Sequence, residues 1–176
     1  GERYARKSLE VRKTLGDVWG QGQSLNYWGV LAGVASRWEE SIQRCAEAVQ
    51  LLRRTGDYWE LHIGRYIMAD GELRLGRLPQ ALEQARVLYA AAAAMGDDKV
   101  SGFTLDVWAR ASGGRVPEDI LDCELGRERY DVQASAQVLL AAGVCAVWRG
   151  DLEGAIKLLD DGQRTCQAVG MKSSWV

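Results

Sequence analysis

Apolar residues recur at helical spacing along nearly the whole chain. Trp38, Ile42, Cys45, Ala46, Val49 and Leu52 recur at steps of three or four residues, with Cys45 and Ala46 adjacent, and make one stripe of a helix. Leu78, Leu82, Ala85, Tyr89, Ala92 and Met95 make a second stripe, and the alanine run 90–94 adds helix propensity. No stretch alternates apolar and polar residues as a half-buried strand would. The pattern predicts helices over 2–19, 20–35, 38–54, 58–75, 79–95, 98–112, 117–129, 131–149 and 151–169.

The stripes are periodic at a higher level. Gly16-Asp17-Val18-Trp19, Gly56-Asp57-Tyr58-Trp59 and Gly96-Asp97-Asp98-Lys99 follow one another at 40-residue intervals, the mark of a repeat array. Within each unit a second turn recurs: Ser36-Arg37-Trp38, Gly76-Arg77-Leu78, Gly114-Arg115-Val116 and Gly150-Asp151-Leu152. Pro79 and Pro117 sit just inside two of these starts, where a missing N–H has no helical partner to lose. Gly96, Gly150 and Gly170 fit helix ends.

Alignment on that turn gives columns: Ser41, Ala81, Asp119 and Ala155, then Ile42, Leu82, Ile120 and Ile156, with Gly29, Ala69, Val107 and Gly143 in the preceding helix. Small residues there let two helices approach while a large aliphatic side chain fills the seam. The units are antiparallel helix hairpins over about 20–56, 57–96, 97–130 and 131–170, with 1–19 as the second helix of a preceding unit and the tail 170–176 as the start of another. All of 1–176 is expected to form one repeat domain, cut from a longer protein because it begins without Met and inside a helix. Trp19 and Trp59, at one register after the inter-unit turns, are expected to pack between consecutive hairpins.

Composition narrows the function. Two prolines leave long helices uninterrupted, and a net charge of −2 with scattered Lys and Arg gives no footprint for nucleic acid or an anionic membrane. The longest apolar run, Val138 to Trp148, is shorter than a bilayer span, and no leader-like stretch follows the first residues, so a cytoplasmic location is expected. Cys45, Cys123, Cys145 and Cys166 show no paired spacing and read as reduced, buried side chains, with neither a metal site nor a cofactor implied.

The joint register of these columns resembles the tetratricopeptide repeat, carried by Gly29, Ala69 and Gly143 in the first helix and Ala81 and Ala155 in the second. The unit is longer than the usual repeat. The Leu15-Gly16-Asp17-Val18-Trp19-Gly20 linker and 40-residue period look more like the helical arrays of bacterial multidomain regulators, such as signalling ATPases of the STAND type. The resemblance implies an all-α fold: a right-handed superhelical solenoid of about four hairpins plus a preceding helix. It also implies a sensing or partner-binding arm. The third unit departs from the pattern at Asp106, Val107, Arg110 and Asp119, and Asn26 lacks the companions of a carboxylate clamp.

In such a stack the first helix of each unit lines the concave face. That register directs Asn26, Tyr66, Asp70, Arg74, Thr104, Trp108 and Trp148 to the groove, while Trp108 and Trp148 fit the intramolecular core as well. Asp70 with Arg74, and Asp106 with Arg110, have ion-pair spacing on a helix. His62, the only histidine, reads as a residue of the surface or the core edge and not as a catalytic imidazole, and Ser112-Gly113-Gly114-Arg115 lacks a phosphate-loop lysine. The expectation is therefore a non-catalytic scaffold binding a peptide, helix or domain of a regulatory protein. The alternative is a small-molecule sensor using Tyr66, Trp108 and Trp148. Self-association through exposed repeat ends is also expected.

Overall fold

The structure is a computed structural model and describes residues 1–170; the tail read as the start of another unit lies, but for Gly170, outside the described residues. Among these it is all helix, with no strand: α1 (Glu2–Thr14), α2 (Val18–Val34), α3 (Trp38–Leu52), α4 (Tyr58–Arg74), α5 (Leu78–Met95), α6 (Asp98–Ala111), α7 (Glu118–Gly126), α8 (Val132–Arg149) and α9 (Leu152–Ala168).

The 40-residue motif is a paired stop and start signal. Gly16, Gly56 and Gly96 take left-handed φ of 68°, 76° and 70°, which closes the helix before them cheaply. The next residue then caps the helix that follows: Asp17 accepts from the Gly20 N–H, Asp57 from Glu60 and Asp97 from Val100. Asp131 and Asp151 cap α8 and α9 in the same way. This ends α1 at Thr14, not near residue 19, and puts Trp19 in the first turn of α2. Helix α7 is also shorter than the predicted 117–129, because Arg127 turns extended after Gly126 (φ −79°, ψ 126°).

The chain divides into two compact units, Gly1–Gln84 and the part from Ala85 onward, with the division inside α5. In the first unit α1 packs on α2, α2 on α3 and α3 on α4, and α2 also touches α4. Leu9, Leu25, Trp28, Val49, Leu52 and Leu61 form its core. Glycines set the spacing. A Cβ on Gly29 would collide with the Cys45 sulfur and stand 3.1 Å from the Ser41 carbonyl oxygen, so α2 lies against α3 only because that position has no side chain. The Trp28 ring is sandwiched between the Arg6 and Arg44 guanidiniums at 4.4 and 4.2 Å, and its indole N–H donates to Glu40.

In the second unit α6 packs on α8 and α8 on α9, while α7 makes a smaller contact with α8. Every residue of α6 from Val100 to Ala109 is buried. Helix α8 is long and apolar enough to cross a bilayer by length and composition, with mean hydropathy 1.2 over 18 residues, although half of that window is buried within the protein. The uninterrupted apolar run read from the sequence is shorter because Gln133, Ser135 and Gln137 stand in the first half of this helix. Cys45, Cys145 and Cys166 are buried as expected. Cys123 is exposed, because the short α7 buries only Leu121 and Glu124.

Candidate functional site

In the first unit a line of polar side chains crosses from α1 through α2 to α4. The Arg12 guanidinium donates to the Gly20 carbonyl (2.5 Å), to Gln23 Oε1 (3.1 Å) and to Ser24 Oγ (3.2 Å). Gln23 Nε2 in turn donates to Glu60 Oε1 at 3.0 Å, and Asn26 Nδ2 donates to both Glu60 Oε2 and the Glu60 carbonyl. Asn26 therefore does not face an open groove. It is buried, and its amide ties α2 to α4 while Gly64 lies against its Oδ1. Beside this line α1 and α2 enclose a cleft of about 300 Å³, lined by Tyr4, Ser8, Arg12, Ser24, Tyr27 and Leu31 among others.

The outer face of α4 carries Trp59, Ile63, Tyr66, Asp70 and Arg74, spaced four, three, four and four residues apart and hence on one side. Trp59 is exposed and Tyr66 half-buried. Arg74 Nε donates to Asp70 Oδ1 at 3.2 Å, and its guanidinium also lies 5.7 Å from the Trp38 ring centre. The ion pair expected from spacing is formed on a partly exposed face. Trp19 does join consecutive hairpins, since its indole N–H donates to the Asp57 carboxylate at 2.6 Å.

The predicted site residues of the second unit have different fates. Thr104 is fully buried and its hydroxyl donates to the Val100 carbonyl in its own helix. Trp108 belongs to the core, edge-on to Tyr89 at 5.6 Å. Trp148 is 68% exposed and lies over Gly113 and Gly114, where a Cβ on Gly114 would come within 2.6 Å of the Trp148 Cβ. Asp106, nearly buried, pairs with Arg110 at 2.8 Å.

The strongest polar cluster of this unit was not singled out from sequence. Glu124 is fully buried. It accepts from Tyr89 Oη at 2.9 Å and Ser101 Oγ at 3.2 Å, and pairs with Arg127 and closely with Arg129. Arg129 also donates to the Glu124 and Arg127 carbonyls, satisfying the end of α7. Burial, then the Glu124 carboxylate, pushes the Tyr89 phenol above its ordinary range. The available signal was the drop in spacing between successive second helices from 40 to 38 and 36 residues around this unit. Glu60 was hidden for another reason: three residues after Asp57 it looks like a capping acid, yet its carboxylate turns to Gln23 and Asn26.

Among the described residues no group of three or more His, Cys, Asp or Glu side chains is placed to hold a metal ion. His62, expected at the surface or the core edge, is buried, with its ring tilted against Tyr58 at 6.4 Å. Burial pushes the Cys45 thiol up to about 12, so it stays protonated at neutral pH. No family model matches the chain, and no curated protein matches it at a significant level.

Proposed function

We propose that the chain is a non-catalytic interaction module, a right-handed array of about four tetratricopeptide-like hairpins after one preceding helix, and that it serves as a binding arm of a cytoplasmic regulatory protein. The observation that carries this reading is the α4 face. There an exposed indole, a half-buried phenol and an ion pair stand in line on a helix whose opposite side, with Leu61 and Gly64, is buried. Rings that bury large area with few rotors, set beside a charged pair, suit a peptide or helix partner.

The test is selection of peptides from a random library against the whole chain, with affinity read by fluorescence anisotropy. Trp59→Ala and Tyr66→Ala should each weaken a selected peptide by about tenfold or more, the scale of an interface hot spot. Peptides indifferent to both substitutions would remove α4 as the working surface.

A second reading, a small-molecule sensor, rests on one observation. The α1–α2 cleft, at about 300 Å³, reaches the lower bound of ligand-binding pockets. Metabolite-dependent thermal stabilisation lost in Tyr27→Glu would favour it.

A further inference from the structure

The register set by the Gly-Asp turns puts Leu25, Arg65 and Leu105 in one column, each nine residues after the glycine of its turn. Leu25 and Leu105 are buried. Arg65 takes the same place on α4, on the side away from the Trp59–Tyr66 stripe. Leu61, four residues before it on that side, is in the core of the first unit, and Met68, three residues after it, packs against that core. An arginine in a leucine column breaks the local pattern, and such breaks mark functional or strained positions.

The charge of Arg65 has no counter-charge. Its side chain is half-buried, and among the described residues no carboxylate pairs with it, or with Arg53 and Arg54 at the end of α3. Other arginines of the unit are matched: Arg6 with Glu2, Arg37 with Glu2 and Glu40, Arg44 with Glu47, Arg74 with Asp70. The acid on the Arg65 side of α4 is Glu72, seven residues further, and Arg77 holds it at 3.2 Å. Helix α3 packs on α4, and Arg53 directly follows the core residue Leu52. Burial, then the nearby charge of Arg53, holds the Arg65 guanidinium below its ordinary pKa. Both are costs that an anion placed between the two cations would offset.

We propose that Arg65 and Arg53, with Arg54 beside them, bind a phosphate dianion. Guanidinium forks match phosphate oxygens two at a time, and two adjoining cations balance a dianion more fully than a carboxylate. The dianion is either free phosphate or the phosphoryl group of a modified peptide side chain, and the chemistry of the site is the same for both. Trp59, Ile63 and Tyr66 take no part, so this site and the peptide binding proposed above stand or fall separately.

Arg65→Leu restores the residue of the column, and Arg53→Gln removes the second cation from an exposed position; circular dichroism checks that both variants are folded. Each protein is titrated with inorganic phosphate and with a short blocked phosphoserine peptide, against sodium chloride at equal ionic strength. In the wild type, phosphate should raise Tm above the chloride control and shift the Arg65 Nε–H resonance. Arg53→Gln should weaken the affinity by about tenfold or more, as expected for a lost charge-assisted contact. Arg65→Leu should abolish the response and, without phosphate, melt no lower than the wild type, because an unpaired buried charge has been replaced by an apolar side chain. Binding of the phosphopeptide about tenfold tighter than inorganic phosphate would uphold the site and assign it to a modified chain; equal or weaker binding would uphold it and assign it to the free ion. A wild type that answers phosphate no more than chloride, or an Arg65→Leu protein that keeps the full response, would overturn the proposal.

Discussion

The two units seat different polar groups in the seams between their helices. Glycines free the seams in both, at 22, 29, 64 and 71 in the first and at 102 and 143 in the second, but the polar groups in the first are mostly uncharged amides meeting one buried carboxylate, Glu60. In the second, the corresponding regularity fails: α7 has nine residues, and a buried Glu124 gathers Tyr89, Ser101, Arg127 and Arg129 around it. Small residues let a seam tolerate change at its rim. A buried charge ties a seam to every one of its partners.

The largest expected effect follows from that contrast. Glu124→Ala leaves Arg129 buried without its carboxylate, and removing one partner of a buried pair costs about 3–5 kcal/mol. Glu60→Ala in the first unit strands neutral amides and should cost about 1–3 kcal/mol. Urea denaturation of single-tryptophan variants, reporting from Trp28 and Trp108, measures the two separately. Equal losses would erase the distinction between the units.

Next comes the glycine seam. Gly29→Val would push side-chain carbon into the Cys45 sulfur and the Ser41 carbonyl, and overpacking of this kind costs about 1–3 kcal/mol. The same substitution at Gly126, where a Cβ meets nothing within 4 Å, lacks that collision. Thermal melts of the pair test whether absent side chains set the first unit's spacing. A Gly29→Val protein as stable as Gly126→Val would mean that they do not.

Much of this contrast was open to reading from the residues, but unevenly. The Gly-Asp motif, the small-residue columns and the helix stripes are local, so propensity and periodicity reveal them, and all-α packing of neighbouring helices follows. The direction of a polar side chain is not local. Asn26 and Thr104 fall on groove-facing positions by register, yet one is drawn to Glu60 and the other to its own backbone. Trp108 and Trp148 are alike in sequence, but the first meets Tyr89 in a core and the second lies over a glycine turn. Glu124 escaped notice because the partners that make its burial tolerable come from as far away as Tyr89.

A smaller effect concerns Asp131, which caps α8 through the Ala134 N–H at 2.8 Å and pairs with Lys99 at 2.9 Å. Burial alone would raise its pKa, but Lys99 and the N–H outweigh burial and hold the carboxyl below its ordinary value. A lowered folded value means stability that is present above the unfolded pKa, near about 4, and lost as pH falls through the folded one. Asp131→Ala should cost about 1 kcal/mol at neutral pH, typical of a lost cap, and flatten this acid-side decline. Melting temperature against pH for both proteins checks the sign. A difference that persists unchanged below the folded pKa would show that the carboxylate charge plays no part.

The smallest effect tests the turn chemistry that the repeats share. Ser36 has φ of 59° where Gly76 has 73°, each one residue ahead of a residue whose N–H closes the preceding helix: Arg37 to the Ala32 carbonyl, Arg77 to the Glu72 carbonyl. A left-handed non-glycine residue costs roughly 1–2 kcal/mol, and Gly at 36 relieves that strain while giving the unfolded chain more freedom. Ser36→Gly should therefore gain up to about 1 kcal/mol, and Gly76→Ser should lose about as much. Both substitutions lie in the first unit, so a single denaturation curve followed at Trp28 reads them together. Opposite shifts of similar size would show that the first unit's regularity includes one strained turn, whereas a destabilised Ser36→Gly would mean that the serine makes an interaction of its own there.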